Sequence, residues 1–144
     1  MIAKTVMSLA EAQAGVAGPL SRIVLEYAAI YDRVVLQARQ PGFGEHCWAP
    51  LEQLIATDEF ERVGAQKEVM DWPAYRKALT AFALSGDWEG TFRRVTEVPG
   101  LMFLELIEKL TKGSVVTVVH SVSVYEFNAA GKIRHLDIYL QTPN

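Results

Sequence analysis

One cysteine, Cys47, is all the thiol chemistry that this chain carries. A lone cysteine excludes an internal disulfide and fits a reducing compartment, so a cytoplasmic location is expected. Positive charge is also short. The formal net charge is −3 and no basic stripe runs along any segment, so a nucleic-acid partner is not expected. No apolar run reaches the roughly 18 residues of a membrane-spanning helix. The segment from Met1 to Ala14 has a single lysine and a short apolar stretch interrupted by Glu11, which is a poor export signal. Three scattered histidines and one cysteine offer no metal-ligand spacing. The glycines form no GxGxxG or Walker pattern, so no phosphate cradle is expected. No metal and no cofactor is therefore implied. Internal repeats and low-complexity tracts are missing too.

What is present is an ordinary globular balance. Of 144 residues, 50% are hydrophobic and 22% charged, enough for a core without staples. The expectation is a single domain over 1–144, with an N-terminal arm over 1–19 and the folded body over 20–141. Gly15 and Gly18-Pro19 separate the arm from the folded body. A helix is expected from Ser21 as N-cap, with Tyr27, Ile30, Tyr31, Val34 and Val35 at helical spacing, ending at Pro41-Gly42. Pro50 suits the first turn of a short helix through Leu51, Leu54 and Ile55. Residues 60–65 read as a short strand, with Gly64 marking a turn or bulge. Asp71-Trp72-Pro73 opens another helix that stops at Ser85-Gly86.

The C-terminal stretch alternates like strands over 91–98, 101–110, 115–127 and 133–140, with turns at Pro99-Gly100, 111–114 and 128–131. Segregated helices followed by a strand run predict an α+β fold, a curved antiparallel sheet covered by the N-terminal helices. On the last strand Leu136, Ile138 and Leu140 share one face, and His135, Asp137 and Tyr139 share the other. His120 lies among valines, where a histidine is either a satisfied core residue or an acid/base. Adjacent His46 and Cys47 lack a third, orienting group, which disfavours a nucleophile.

Two stretches carry a resemblance. Tyr125-Glu126-Phe127-Asn128-Ala129-Ala130-Gly131-Lys132-Ile133 is similar to the final hairpin of the nuclear transport factor two-like superfamily, F-x-F-N-x-x-G-K-I in form. Glu61-Arg62-Val63-Gly64 resembles the D-P-V-G stretch of its ketosteroid isomerases. The subfamily that the chain resembles is the SnoaL-like proteins. The resemblance implies a cone-shaped α+β barrel with a pocket for a small apolar organic molecule, and a homodimer through the outer sheet face. It implies cofactor-free isomerase, cyclase or dehydratase chemistry, with Glu61 as base and Tyr31 or His120 as polar partner. Tyr27, Trp48, Trp72, Phe82, Phe103, Glu108, Ser123, Leu136 and Ile138 are the expected pocket residues. Ser123 stands where the isomerases have an aspartic acid. Glu105-Leu106-Ile107-Glu108 resembles the E-R-V-D stretch of limonene epoxide hydrolases, with Leu106 in place of the arginine. Asp137 lies one residue short of their second acid. A non-catalytic binding or assembly module is the remaining alternative.

Overall fold

The computed structural model describes residues 6–143. The first five residues of the expected arm lie outside the described residues, as does Asn144. The rest of the arm forms a short helix, α1, Leu9–Gly15, closed by a capping box between Ser8 and Glu11. Ahead of it, Met7 makes a two-way backbone bridge: its N–H donates to Phe92 O at 2.8 Å and its carbonyl accepts from Phe92 N–H at 2.9 Å.

The second helix, α2, spans Pro19–Gln37 and buries Val24, Leu25, Tyr27, Ala28, Ile30, Val34 and Val35 along one stripe. It starts before the expected Ser21. Its N-cap is Gly18, which has no side chain to offer. The cap comes from Glu97, whose Oε1 accepts from Ser21 N–H at 2.7 Å and from Ser21 Oγ–H at 2.8 Å. A Cβ at Gly18 would collide with that carboxylate, so glycine there leaves room for a cap borrowed from a strand. Burial pushes the Glu97 carboxyl up, but the hydrogen bonds from Ser21 and the α2 N-terminus outweigh it and hold it below its ordinary value of 4.5. A depressed folded pKa contributes stability that is present above the unfolded value and lost as pH falls through the folded one. Glu97→Gln should therefore cost about 1 kcal/mol at neutral pH, the scale of an N-cap. The difference from wild type should vanish in acid below the carboxylate range. Urea midpoints at pH 7 and pH 3 check this; an equal gap at both would refute it.

A 3-10 segment, Glu45–Gln53, replaces the short helix expected after Pro50, and it carries Pro50 inside it. The strands are β1, Glu61–Val63, and β2, Val69–Met70, then β3, Asp87–Val98, β4, Leu101–Lys112, β5, Val115–Phe127, and β6, Ile133–Gln141. Between β2 and β3 runs α3, Trp72–Ser85, capped by Asp71 Oδ1 accepting from Ala74 N–H at 3.0 Å. Among the described residues the six strands form one sheet in the order β2-β1-β6-β5-β4-β3.

The fold is thus α+β, with a long antiparallel meander from β3 to β6. One pairing is parallel: β1 runs alongside β6, Arg62 opposite Leu136. So the sheet is mixed, because α3 and the whole meander intervene before the chain returns to β1. The third strand starts at Asp87, earlier than its weak alternation suggests, since Asp87 already pairs with Thr111. Its register shifts between Phe92 and Arg94, a bulge that bends the strand. The core lies where α2, α3 and the 3-10 segment meet the concave face. Trp48, Leu25, Leu51, Met102, Leu104, Ile133 and Leu136 are fully buried there.

Candidate functional site

Strand alternation decides what can reach the concave face. The register aligns Arg62, Leu136, Tyr125 and Met102 in one row across four strands. The next rows are Ile138, Ser123 and Leu104, then Leu140, Ser121 and Leu106, then Val119 and Glu108. Most of these residues, with Tyr27 and Tyr31 from α2, Tyr75, Leu79 and Phe82 from α3, and Trp88 and Phe92 from β3, enclose a cavity of about 330 Å³. That volume is at the lower end of the range for small-molecule sites, about 300–1,000 Å³.

The walls are mainly aromatic and aliphatic. Among the described residues that line the cavity, Glu108 is the one carboxylate and Arg62 the one cation. Trp88 Nε1–H donates to Glu108 Oε1 at 2.7 Å, and Trp88 itself packs edge-on against Tyr31, ring centroids 4.8 Å apart. The Tyr27 and Tyr75 hydroxyls are 2.7 Å apart; one proton joins them, and the other hydroxyl proton is left to point elsewhere. Tyr125 packs edge-on against Tyr27 at 5.6 Å. Burial pushes the Tyr27 and Tyr31 hydroxyls well up, and Tyr75 and Tyr125 rise for the same first reason. For Tyr31 and Tyr125 the Tyr75 ring and the Glu108 charge add to it. For Tyr75 the bond to Tyr27 and the charge of Arg62 offset part of it. All four stay protonated at neutral pH, a cluster of fixed hydrogen-bond donors.

Seven of the expected residues line the cavity together: Tyr27, Tyr31, Phe82, Glu108, Ser123, Leu136 and Ile138. The others lie elsewhere. Trp48 is wholly buried behind Tyr31, its Nε1–H donating to Thr80 Oγ1 at 3.1 Å. Trp72 packs on Phe60 and Tyr75 and donates to Glu52 Oε1 at 3.1 Å. Phe103 is an odd-numbered residue of β4, on the convex face opposite Leu104. His120 is also convex, in a shallow groove with Arg93, Arg94 and Tyr139. Glu61 is exposed at the convex edge, where its Oε1 lies 3.2 Å from His135 Nδ1. His135 Nε2 in turn lies 3.0 Å from Asp137 Oδ1, so Asp137 faces away from the cavity too.

Glu61 and Asp137 miss the cavity for the same reason: each is one residue from a position that points in, and one residue reverses a strand side chain. Their inward neighbours are Arg62 and Ile138. Among the polar and aromatic side chains that line the cavity, Arg62, Tyr75, Trp88, Phe92 and Tyr125 were not among the expected site residues. Tyr125 was accessible by alternation from Ser123, and Tyr75 by helical spacing from Leu79 and Phe82. Cys47 Sγ does come within 3.6 Å of His46 Nε2, but neither residue lines the cavity. Among the described residues no group of histidine, cysteine and acidic side chains is placed to hold a metal, and no helix is long and apolar enough to cross a membrane.

No protein-family model matches the sequence, and no curated protein matches it. Solved structures do. A candidate SnoaL-like polyketide cyclase from Shewanella putrefaciens superposes with a TM-score of 0.70 at 9% identity, over 97% of this chain and 92% of the other. An NTF2-like protein of unknown function from an Exiguobacterium species gives 0.61 at 15% identity, over 79% and 97%. An LEH-like epoxide hydrolase from M. tuberculosis gives 0.56 at 11% identity, over 78% and 84%. At such identities the likeness is one of fold: the chain has the NTF2-like cone fold.

Proposed function

We propose that the cavity binds a small, largely apolar carbonyl compound and that Glu108 moves a proton on it without a cofactor. The observation that carries this is one carboxylate held by Trp88 inside an apolar wall, facing a cluster of tyrosines that burial keeps protonated. With Oε1 occupied by the indole N–H, Oε2 is the oxygen turned to the ligand. It takes a proton from the carbon next to the carbonyl. The C–H electron pair becomes the C=C bond of an enolate, and the negative charge moves to oxygen. A hydroxyl of the Tyr27–Tyr75 pair, or Tyr125, donates to that oxygen, which is the kind of fixed donor that lowers such a barrier. Glu108 then returns the proton to a different carbon, completing an isomerisation. In the cyclase variant the enolate carbon attacks a second carbonyl and the proton goes to the new alkoxide.

The fold shared with a candidate polyketide cyclase favours the same class of chemistry. An epoxide-hydrolase reading needs two inward carboxylates and a water-orienting arginine. Here Ile138 and Leu106 line the cavity at those places. The test is a panel of β,γ-unsaturated ketones and aryl diketones in D₂O, followed by NMR for exchange next to the carbonyl and by absorbance for conjugation. Exchange above the solvent rate supports the reading. Binding with no exchange would leave a non-catalytic carrier instead.

The convex face supports a second copy of this chain as partner. By strand alternation Val116 and Val118 of β5 and Tyr139 of β6 lie on that face, and they are 53%, 46% and 60% exposed, apolar side chains that a second copy would cover. Sedimentation should give twice the chain mass for wild type, and Val118→Lys with Tyr139→Glu should give a single chain. A wild-type protein that sediments as one chain would refute it.

A further inference from the structure

The proton-transfer reading leaves one cavity group without a task. Arg62 lines the closed end, beside Tyr27, Tyr75, Tyr125, Leu104 and Leu136, each 5% exposed or less. Its guanidinium carbon lies 5.2 Å from the centroid of the Tyr75 ring. One nitrogen, Nη1, reaches Glu68 Oε1 at a long 3.4 Å, and that carboxylate is half-exposed and does not line the cavity. The Nε is buried, and among the described residues it has no hydrogen-bond acceptor. A guanidinium is always charged and weakly tolerated against an apolar wall unless it is paired. An aliphatic side chain would close this wall at lower cost. Glu108 does not serve as the partner: it lies three rows further along the sheet, level with Val119, and is engaged by Trp88.

We propose that Arg62 anchors an acidic group, so that the ligand is an oxo acid rather than a neutral ketone. Its carboxylate sits at the closed end against the Arg62 fork. Its carbonyl oxygen meets the tyrosine hydroxyls, the carbon beside the carbonyl on the side away from the carboxylate turns to Glu108, and its apolar body packs on Leu104 and Leu106. Arginine suits this task because its planar donors match a carboxylate in two parallel bonds. A cationic ligand would place its charge beside Arg62 and is disfavoured. The inference rests on the proposed use of the same cavity and adds the class of ligand.

The probes are 4-oxo-4-phenylbutanoate and its primary amide, titrated against the whole chain by calorimetry or tryptophan fluorescence. Wild type should bind the acid about tenfold or more tighter than the amide, the scale of a charge-assisted pair. Arg62→Gln should remove that preference while the amide affinity stays put, which also reports an intact cavity; Arg62→Lys should restore part of it. Equal affinity for acid and amide in wild type overturns the anchor while leaving the cavity reading in place. So does an acid preference that survives Arg62→Gln. If neither probe binds and the neutral ketones fail as well, the cavity reading falls and the anchor with it. The wild-type ratio needs no variant, so it decides even where Arg62→Gln does not fold.

Discussion

Glu108→Gln should slow proton exchange on the ketone panel by about a hundred- to ten-thousandfold, the usual contribution of a positioned general base. Ligand affinity should change far less. The reason lies in what glutamine keeps and what it loses. Its amide oxygen can still accept from Trp88 Nε1–H, so the 2.7 Å bond and the packing of Trp88 on Tyr31 survive. It cannot take up a proton. The rate should therefore fall through kcat, with KM nearly unmoved, the pattern of an interaction needed only in the transition state. Glu61→Gln is the matched control. Glu61 is exposed on the convex edge next to His135, and its loss should leave the rate unchanged. Should Glu61→Gln abolish exchange while Glu108→Gln does not, the assignment of the base is wrong.

The second large effect is on stability. Trp48→Ala should destabilise the protein by about 3–5 kcal/mol, as expected for removing a fully buried aromatic side chain. For a chain of this size that lowers Tm by roughly 6–20 °C. Trp48 is wholly buried, tilts against Tyr31 at 5.7 Å and donates to Thr80 Oγ1. Truncation leaves a void among α2, α3 and the 3-10 segment. Thr80 loses one partner but keeps its hydroxyl bond to Arg76 O at 2.8 Å, so packing is the main loss. Trp48→Phe should recover most of the stability. Calorimetric melting decides, and a loss under about 1 kcal/mol would mean that the site collapses around the void. Since Tyr31 leans on Trp48, the cavity wall should loosen as well, and a modest drop in affinity is expected alongside.

Much of the scaffold was readable in the sequence because it depends on local signals. Asp71 followed by Trp72-Pro73 marks the start of α3, and Ser85-Gly86 its end. The hairpin at Asn128 needs Gly131 at φ 78° and an Asn128 side chain that accepts from Ala130 and Lys132 N–H. β2 was not readable, because two residues carry no alternation. Nor was the true start of α2, since its cap comes from Glu97, which is 76 residues away from Ser21. For the cavity, the apolar face of β6 follows from alternation; Phe103 and Glu108 were both expected inside, but five residues apart on β4 they take opposite faces, and only Glu108 lines the cavity. The inward turn of Arg62 does not follow from alternation. Whether Glu61 or Arg62 turns inward depends on the parallel register with β6, and a three-residue strand holds no periodicity that reveals it. The same uncertainty of one position governs Asp137 and Ile138.

The bridge between Met7 and Phe92 has a consequence for solubility. Phe92 belongs to β3, which is an outer strand of the sheet, and an uncovered strand edge is a template for pairing with other chains. Met7 fills the hydrogen-bonding positions of Phe92 on that edge, right where the register shifts. Beyond it Arg93 and Arg94 add charge, and the bulge turns the strand out of line. At the opposite border the sheet ends in β2, too short to recruit a neighbour. Both margins of the sheet are thus poor templates for growth into a longer sheet.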